Sequence, residues 1–122
     1  MTKASILIVD DDEGVRTVLE SELLSEGYVV ETASDGDDAI AMLRGGKEFD
    51  LILLDIKMPR VDGFEVLEFV KKESPAAKVI MLTAYADLSN AIKSKRLGAE
   101  ELISKPYDLI DLLTTVERIL CE

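Results

Sequence analysis

The 122 residues suffice for one compact domain and not for two, with enough chain to bury a core without disulfides or a structural metal. Lysine and arginine total 14 against 25 aspartates and glutamates, and the net charge of −11 argues against direct nucleic-acid binding by this domain. Histidine is absent and cysteine occurs once, at Cys121, which removes Ser-His-Asp and Cys-His catalysis, histidine-ligated zinc, a phosphohistidine-carrier role and any internal disulfide.

Five apolar runs alternate with stretches of helical period. The first run, Ser5-Ile6-Leu7-Ile8-Val9, is apolar on both faces and predicts a central parallel strand. Val15, Val18, Leu19 and Leu23 line one face of the helix that follows, and Gly27 stops it. The second run, Tyr28 to Thr32, alternates with polar residues and suits a sheet edge. Ala39, Ile40 and Leu43 mark the second helix, ended by Gly45-Gly46. Leu51-Ile52-Leu53-Leu54 is again apolar throughout; Phe64, Leu67 and Val70 give the third helix, closed at Ser74-Pro75. Val79-Ile80-Met81-Leu82 forms the fourth strand, and Leu88, Ala91, Ile92 and Leu97 the face of the fourth helix before Gly98. Glu101-Leu102-Ile103-Ser104 makes the second edge. Leu109, Leu112, Leu113, Val116 and Leu120 define the last helix, with Asp87 and Asp108 standing where N-caps belong.

No linker, repeat or low-complexity tract interrupts this alternation, so residues 1–122 are read as a single domain. There is no run of 18 apolar residues and no cationic, cleavable leader at Met1, an expectation of a cytoplasmic protein with no membrane contact. Five βα units with right-handed crossovers predict a doubly wound three-layer α/β sandwich. The matching parallel-sheet order is 2-1-3-4-5, the flavodoxin-like arrangement.

In such sheets ligands bind beyond the carboxyl ends of the strands, where strand order reverses. Asp10, Asp11 and Asp12 follow the first run, Asp55 the third, Thr83 the fourth and Lys105 the fifth. Two carboxylates about 5 Å apart repel by roughly 3 kcal/mol at an effective dielectric near 20. A divalent cation and a lysine are the available remedies. An all-oxygen site with room for water suits Mg2+, Lys105 supplies a point charge, and Thr83 offers a hydroxyl donor. A carboxylate nucleophile with these groups fits in-line phosphoryl transfer onto an aspartate. Asp55 is the predicted acceptor, since it stands alone on a central strand, whereas Asp10 and Asp11 stand together and suit metal holding. Asp12 and Glu13 are read as first-turn charges favoured by the helix dipole.

Ile6-Leu7-Ile8-Val9-Asp10-Asp11, Leu53-Leu54-Asp55-Ile56-Lys57-Met58-Pro59 with Asp62-Gly63, Leu82-Thr83-Ala84, and Gly98-Ala99 leading to Lys105-Pro106-Tyr107 resemble the receiver domain of two-component response regulators. The resemblance runs from about residue 5 to residue 121. It implies an acid pair at Asp10 and Asp11, phosphorylation at Asp55, a metal-holding main-chain carbonyl at Lys57, a switch hydroxyl at Thr83 and a phosphate-pairing lysine at Lys105, with the bond to Pro106 cis. It further implies Mg2+ as cofactor and a sensor histidine kinase or phosphotransfer protein as donor, with acetyl phosphate as a small substitute, and self-catalysed phosphorylation and hydrolysis. The responding surface is the fourth helix, fifth strand and fifth helix, around Asp87 to Tyr107, with a phosphorylation-dependent homodimer through that surface as one outcome. Leu102 departs from the aromatic that many receivers carry three residues before the lysine, while Lys57 and Tyr85 fall at positions resembling tuners of phosphate lifetime.

Three rival readings stand beside this one: a phosphorylation-independent interaction module, a small Mg2+-dependent phosphatase, and a flavin protein, whose phosphate three aspartates after the first strand would repel. Lys71, Lys72, Lys93 and Lys95 are expected to be solvated, Phe64 and Tyr107 to be core, and Gly63 to serve a turn or helix entry. Glu122 directly follows the last helix, which fits either a single-domain regulator or a receiver belonging to a longer chain with an output domain.

Overall fold

The computed structural model describes residues 4–122. Its elements alternate without exception: β1 (Ser5–Val9), α1 (Glu13–Ser25), β2 (Val29–Ala33), α2 (Gly36–Arg44), β3 (Leu51–Leu54), α3 (Gly63–Glu73), β4 (Lys78–Thr83), α4 (Leu88–Arg96), β5 (Glu101–Ser104) and α5 (Leu109–Cys121). An aspartate begins each helix. The side chain of Asp12 accepts from the Val15 N–H, Asp35 from Asp38, Asp62 from Glu65, Asp87 from Asn90 and Asp108 from Asp111. Each cap satisfies a donor that the helix leaves unpaired and places negative charge at the positive end of its dipole. At the other ends Gly27 and Gly98, with φ of 93° and 101°, turn the chain out of α1 and α4.

The strands pair in parallel in the order β2-β1-β3-β4-β5. Their period of two divides the apolar runs between two cores. Leu7, Val9, Ile52, Leu54, Val79 and Met81 face α2 and α3, meeting Ala39, Leu43, Phe64, Leu67 and Val70. Ile6, Ile8, Leu51, Leu53, Ile80 and Leu82 face α1 and α5, meeting Leu19, Leu23, Leu112, Val116 and Ile119. Each such buried side chain contributes roughly 1.5–3 kcal/mol over exposure, so the central strands cannot slip in register without loss of both cores.

Several positions depart from the sequence reading. β2 begins at Val29, half exposed on the edge strand, while Tyr28 turns into the α1/α5 core. Val18 stands outside the buried stripe of α1. The larger reversal is α4, whose Leu88 and Ile92 face outward at 76% and 50% exposure while Ser94 is buried. Ala91 and Ser94 are small and line the face toward Leu102 and Ala99, which leaves the bulkier apolar stripe outside. Two lysines are not merely solvated: Lys71 Nζ bonds both Glu100 carboxylate oxygens and the Ala77 carbonyl, and Lys93 Nζ lies 4.4 Å from the Phe64 ring centroid. Phe64 is core, whereas Tyr107 is half-buried against the α1/α5 core.

Candidate functional site

Main-chain bonds carry the sheet one residue past its strand ends, and this extension sets the site. The Asp10 N–H donates to the Ala33 carbonyl at 3.3 Å, the Asp55 N–H to Val9 at 3.0 Å and the Lys105 N–H to Thr83 at 2.8 Å. Val9 lies opposite Leu54 in the register, so the next residues on these neighbouring strands, Asp10 and Asp55, emerge side by side. β4 brings Thr83 beside β3, and β5 delivers Lys105 from the edge. The Lys105–Pro106 peptide bond is cis.

These backbones bring together five side chains expected from the sequence. Asp10, Asp55 and Thr83 are 2%, 8% and 0% exposed, whereas Asp11 is open to solvent. Carboxylate oxygens of Asp10, Asp11 and Asp55 lie within 4.8 Å of one another. Lys105 Nζ donates to Asp10 Oδ2 at 2.7 Å and reaches Asp55 Oδ2 at 3.5 Å. Asp10 Oδ1 accepts from the Asp12 N–H at 2.9 Å. Asp55 Oδ1 is buried with no hydrogen-bond partner. Thr83 Oγ1 accepts from the Tyr85 N–H at 3.1 Å, and a hydroxyl that accepts still carries a proton to give.

Burial pushes the Asp55 carboxyl up from its ordinary range; Lys105 opposes this, and the charge of Asp10 reinforces it. Burial works against the Lys105 ammonium too, but its hydrogen bond to Asp10 and the charges of Asp55 and Asp10 outweigh that cost and raise its pKa. One lysine thus stands against three carboxylates. The unpartnered Asp55 oxygen and the clustered hard donors fit a divalent cation of the Mg2+ class, which takes oxygen ligands and keeps waters.

A family model described as the response regulator receiver domain matches residues 6–117. The chain belongs to that family. Among solved structures it resembles a CheY-like receiver from Methanospirillum hungatei, at 39% identity and a TM-score of 0.93, covering 98% of this chain and 94% of that one. It also resembles the response regulator TrrA of Thermotoga maritima in complex with Mg2+ and BeF, at 34% identity and a TM-score of 0.85, with 95% and 98% coverage. A probable transcriptional regulator, ycf27 of Guillardia theta, is 38% identical over 98% of this chain and 46% of its own length. The chain thus spans about half the length of that curated relative. The observed strand order is the one expected of a flavodoxin-like receiver.

Around the receiver's acidic cluster stand Arg16 and Arg60, which sequence reasoning did not assign, beside residues that it singled out. Arg16 Nη1 donates to the Asp10 carbonyl at 2.7 Å and holds that loop from the first turns of α1. A Cβ on Gly63 would overlap the Asp55 carbonyl oxygen, so glycine here permits α3 to start hard against the Asp55 main chain. Lys57 lies in the β3–α3 loop, its Nζ 4.9 Å from the Tyr85 ring centroid. Between the β3–α3 and β4–α4 loops runs an open groove lined by Ile56, Lys57, Met58, Arg60, Tyr85 and Asn90. Leu102 is half-buried and packs on the α2/α3 core as an ordinary aliphatic contact. Among the described residues no helix is long and apolar enough to cross a membrane.

Proposed function

We propose that this receiver accepts a phosphoryl group on Asp55 in a two-component relay and relays the change to its α4–β5–α5 surface. The observation that carries the reading is the buried, unpartnered Asp55 oxygen set beside Lys105 and two further carboxylates. A carboxylate oxygen of Asp55 forms the O–P bond as the donor's P–N or P–O bond breaks, and the electron pair of that bond leaves with the donor. Asp10, Asp11, Asp55 and the Lys57 main-chain carbonyl would hold Mg2+, which when bound neutralises the charge that develops on the phosphoryl oxygens.

The chain's own groups do the rest. Lys105, already shared between Asp10 and Asp55, shifts onto a phosphoryl oxygen, and the Thr83 proton is donated to another. The added charge and acceptor oxygens draw both groups inward and so pull on the β4–α4 and β5–α5 connections. With Leu102 in place of an aromatic, Thr83 and Lys105 carry this movement without a rotating ring. The donor is a sensor histidine kinase or phosphotransfer protein, and the output is an attached domain or separate protein. Outward-facing Leu88, at 76% exposure on α4, and Ile110, at 73% on α5, support a homodimer through this face.

Incubation with Mg2+ and acetyl phosphate adds the mass of one phosphoryl group to the wild-type protein and none to Asp55→Asn. Equal labelling of the two proteins refutes the acceptor assignment.

A further inference from the structure

The β3–α3 loop, which bears Lys57, is fastened to α2 by a contact that the site described above does not include. Its neck is closed by the Gly63 N–H donating to the Ile56 carbonyl at 2.7 Å. Inside the loop, Met58 is buried in the α2/α3 core. At the tip, Arg60 adopts φ of 66°, the one positive-φ non-glycine residue among the described residues. Its guanidinium forks: Nε donates to Asp37 Oδ2 and Nη2 to Asp35 Oδ2, each at 2.9 Å. Next to it Val61 lies hard against Gly36, where a Cβ would stand 2.6 Å from the Val61 carbonyl oxygen. Left-handed backbone at an arginine carries a conformational cost and persists where surrounding contacts over-determine it.

We propose that Arg60 is a positioning residue for the metal site, bracing the loop against the α2 N-terminus so that the Lys57 carbonyl is held where Mg2+ is to bind. This rests on the metal reading of Asp10, Asp11, Asp55 and Lys57. The geometry suits the task. β2 and β3 flank β1 in the sheet, so a link from the β3–α3 loop to the β2–α2 connection ties together the segments on either side of Asp10 and Asp11. Lys57 touches Tyr85 on the opposite side, so the loop is fixed from two directions. Asp35 serves twice, capping α2 with Oδ1 and holding Arg60 with Oδ2.

An exposed ion pair has little effect on global stability. If Arg60 matters, it matters locally, and the sign of the effect separates a brace from a mere charge. Arg60→Gln removes a cation from the loop that bears Lys57. Acting through charge alone, that change tightens Mg2+ binding. Loss of the brace loosens it.

The test is titration of the metal-free protein with Mg2+ alone, followed by calorimetry, beside urea unfolding without metal. Arg60→Gln is expected to weaken Mg2+ binding about five- to tenfold, near the low end of the ~10–100-fold cost of removing groups that orient metal ligands. Its urea midpoint stays at the wild-type value. Arg60→Lys, which can keep one ion pair but not the fork, recovers part of the affinity. Unchanged or tighter binding by Arg60→Gln overturns the proposal while leaving the metal reading intact. A wild-type protein that binds no Mg2+ overturns both.

Discussion

Asp55 sits where the folded chain makes ionisation costly, and this gives its stability a direction with pH. Because burial raises the carboxyl pKa in the fold, the unfolded chain loses this proton first as pH rises. The wild-type fold therefore weakens as pH climbs from the ordinary value of 3.8 through the raised native one, and the deficit is constant above it. Asp55→Asn has no such proton to lose. In metal-free buffer the variant is expected to match the wild type at strongly acid pH and to exceed it at neutral pH. Urea unfolding at a series of pH values measures this; a wild type more stable than Asp55→Asn at pH 7 without metal sinks the argument. Asp55 is thus a position where burial in the fold opposes ionisation, and a bound cation would oppose that cost.

At the scale of elements, the helix starts are the most direct link from composition to structure. Five aspartates cap five helices, so part of the chain's acidity serves local architecture. Asp87→Ala is expected to cost about 1 kcal/mol in urea unfolding and to loosen α4 first, because that helix buries only Ser94. Gly63→Ala forces a Cβ into the Asp55 carbonyl and is expected to cost about 3 kcal/mol, with Asp55 displaced. A Gly63→Ala protein as stable as wild type contradicts this packing. The strands and the meeting of Asp10, Asp11, Asp55, Thr83 and Lys105 were readable from the chain, because runs apolar on both faces, alternating with helices, point to a parallel sheet whose strand ends converge, while the strand order leaned on the family resemblance. Arg16 and Arg60 were not readable: an arginine reaching a main-chain carbonyl or two carboxylates on another segment leaves no periodic signal. The orientation of α4 was misread for a related reason. Leu88 and Ile92 share a face at helical spacing, but spacing alone does not say whether that face meets the sheet or solvent, and the small Ala91 and Ser94 took the inner side.

Across the whole molecule two electrostatic effects must be separated. A chain of net charge −11 repels itself, so any added salt favours the compact state by screening. A cation bound at Asp10, Asp11 and Asp55 adds a second term that grows with its concentration, about 2.7 kcal/mol once Mg2+ reaches a hundred times its dissociation constant. The two differ in what they share. Screening by NaCl acts on every carboxylate and is nearly the same in wild type and in Asp11→Ala, whose only loss is one exposed carboxylate beside the buried pair. The site term belongs to wild type alone. At matched ionic strength, replacing NaCl by MgCl2 is therefore expected to raise the thermal midpoint of wild type by several degrees, at roughly 4 °C per kcal/mol for a domain of this size. Asp11→Ala gains little from the same exchange. Metal-free Asp11→Ala is expected to be no less stable than metal-free wild type, since it removes a repelling charge from the cluster. If MgCl2 lifts both proteins equally, its action is general screening, and the three carboxylates are ordinary surface and strand-end charges with no common ligand.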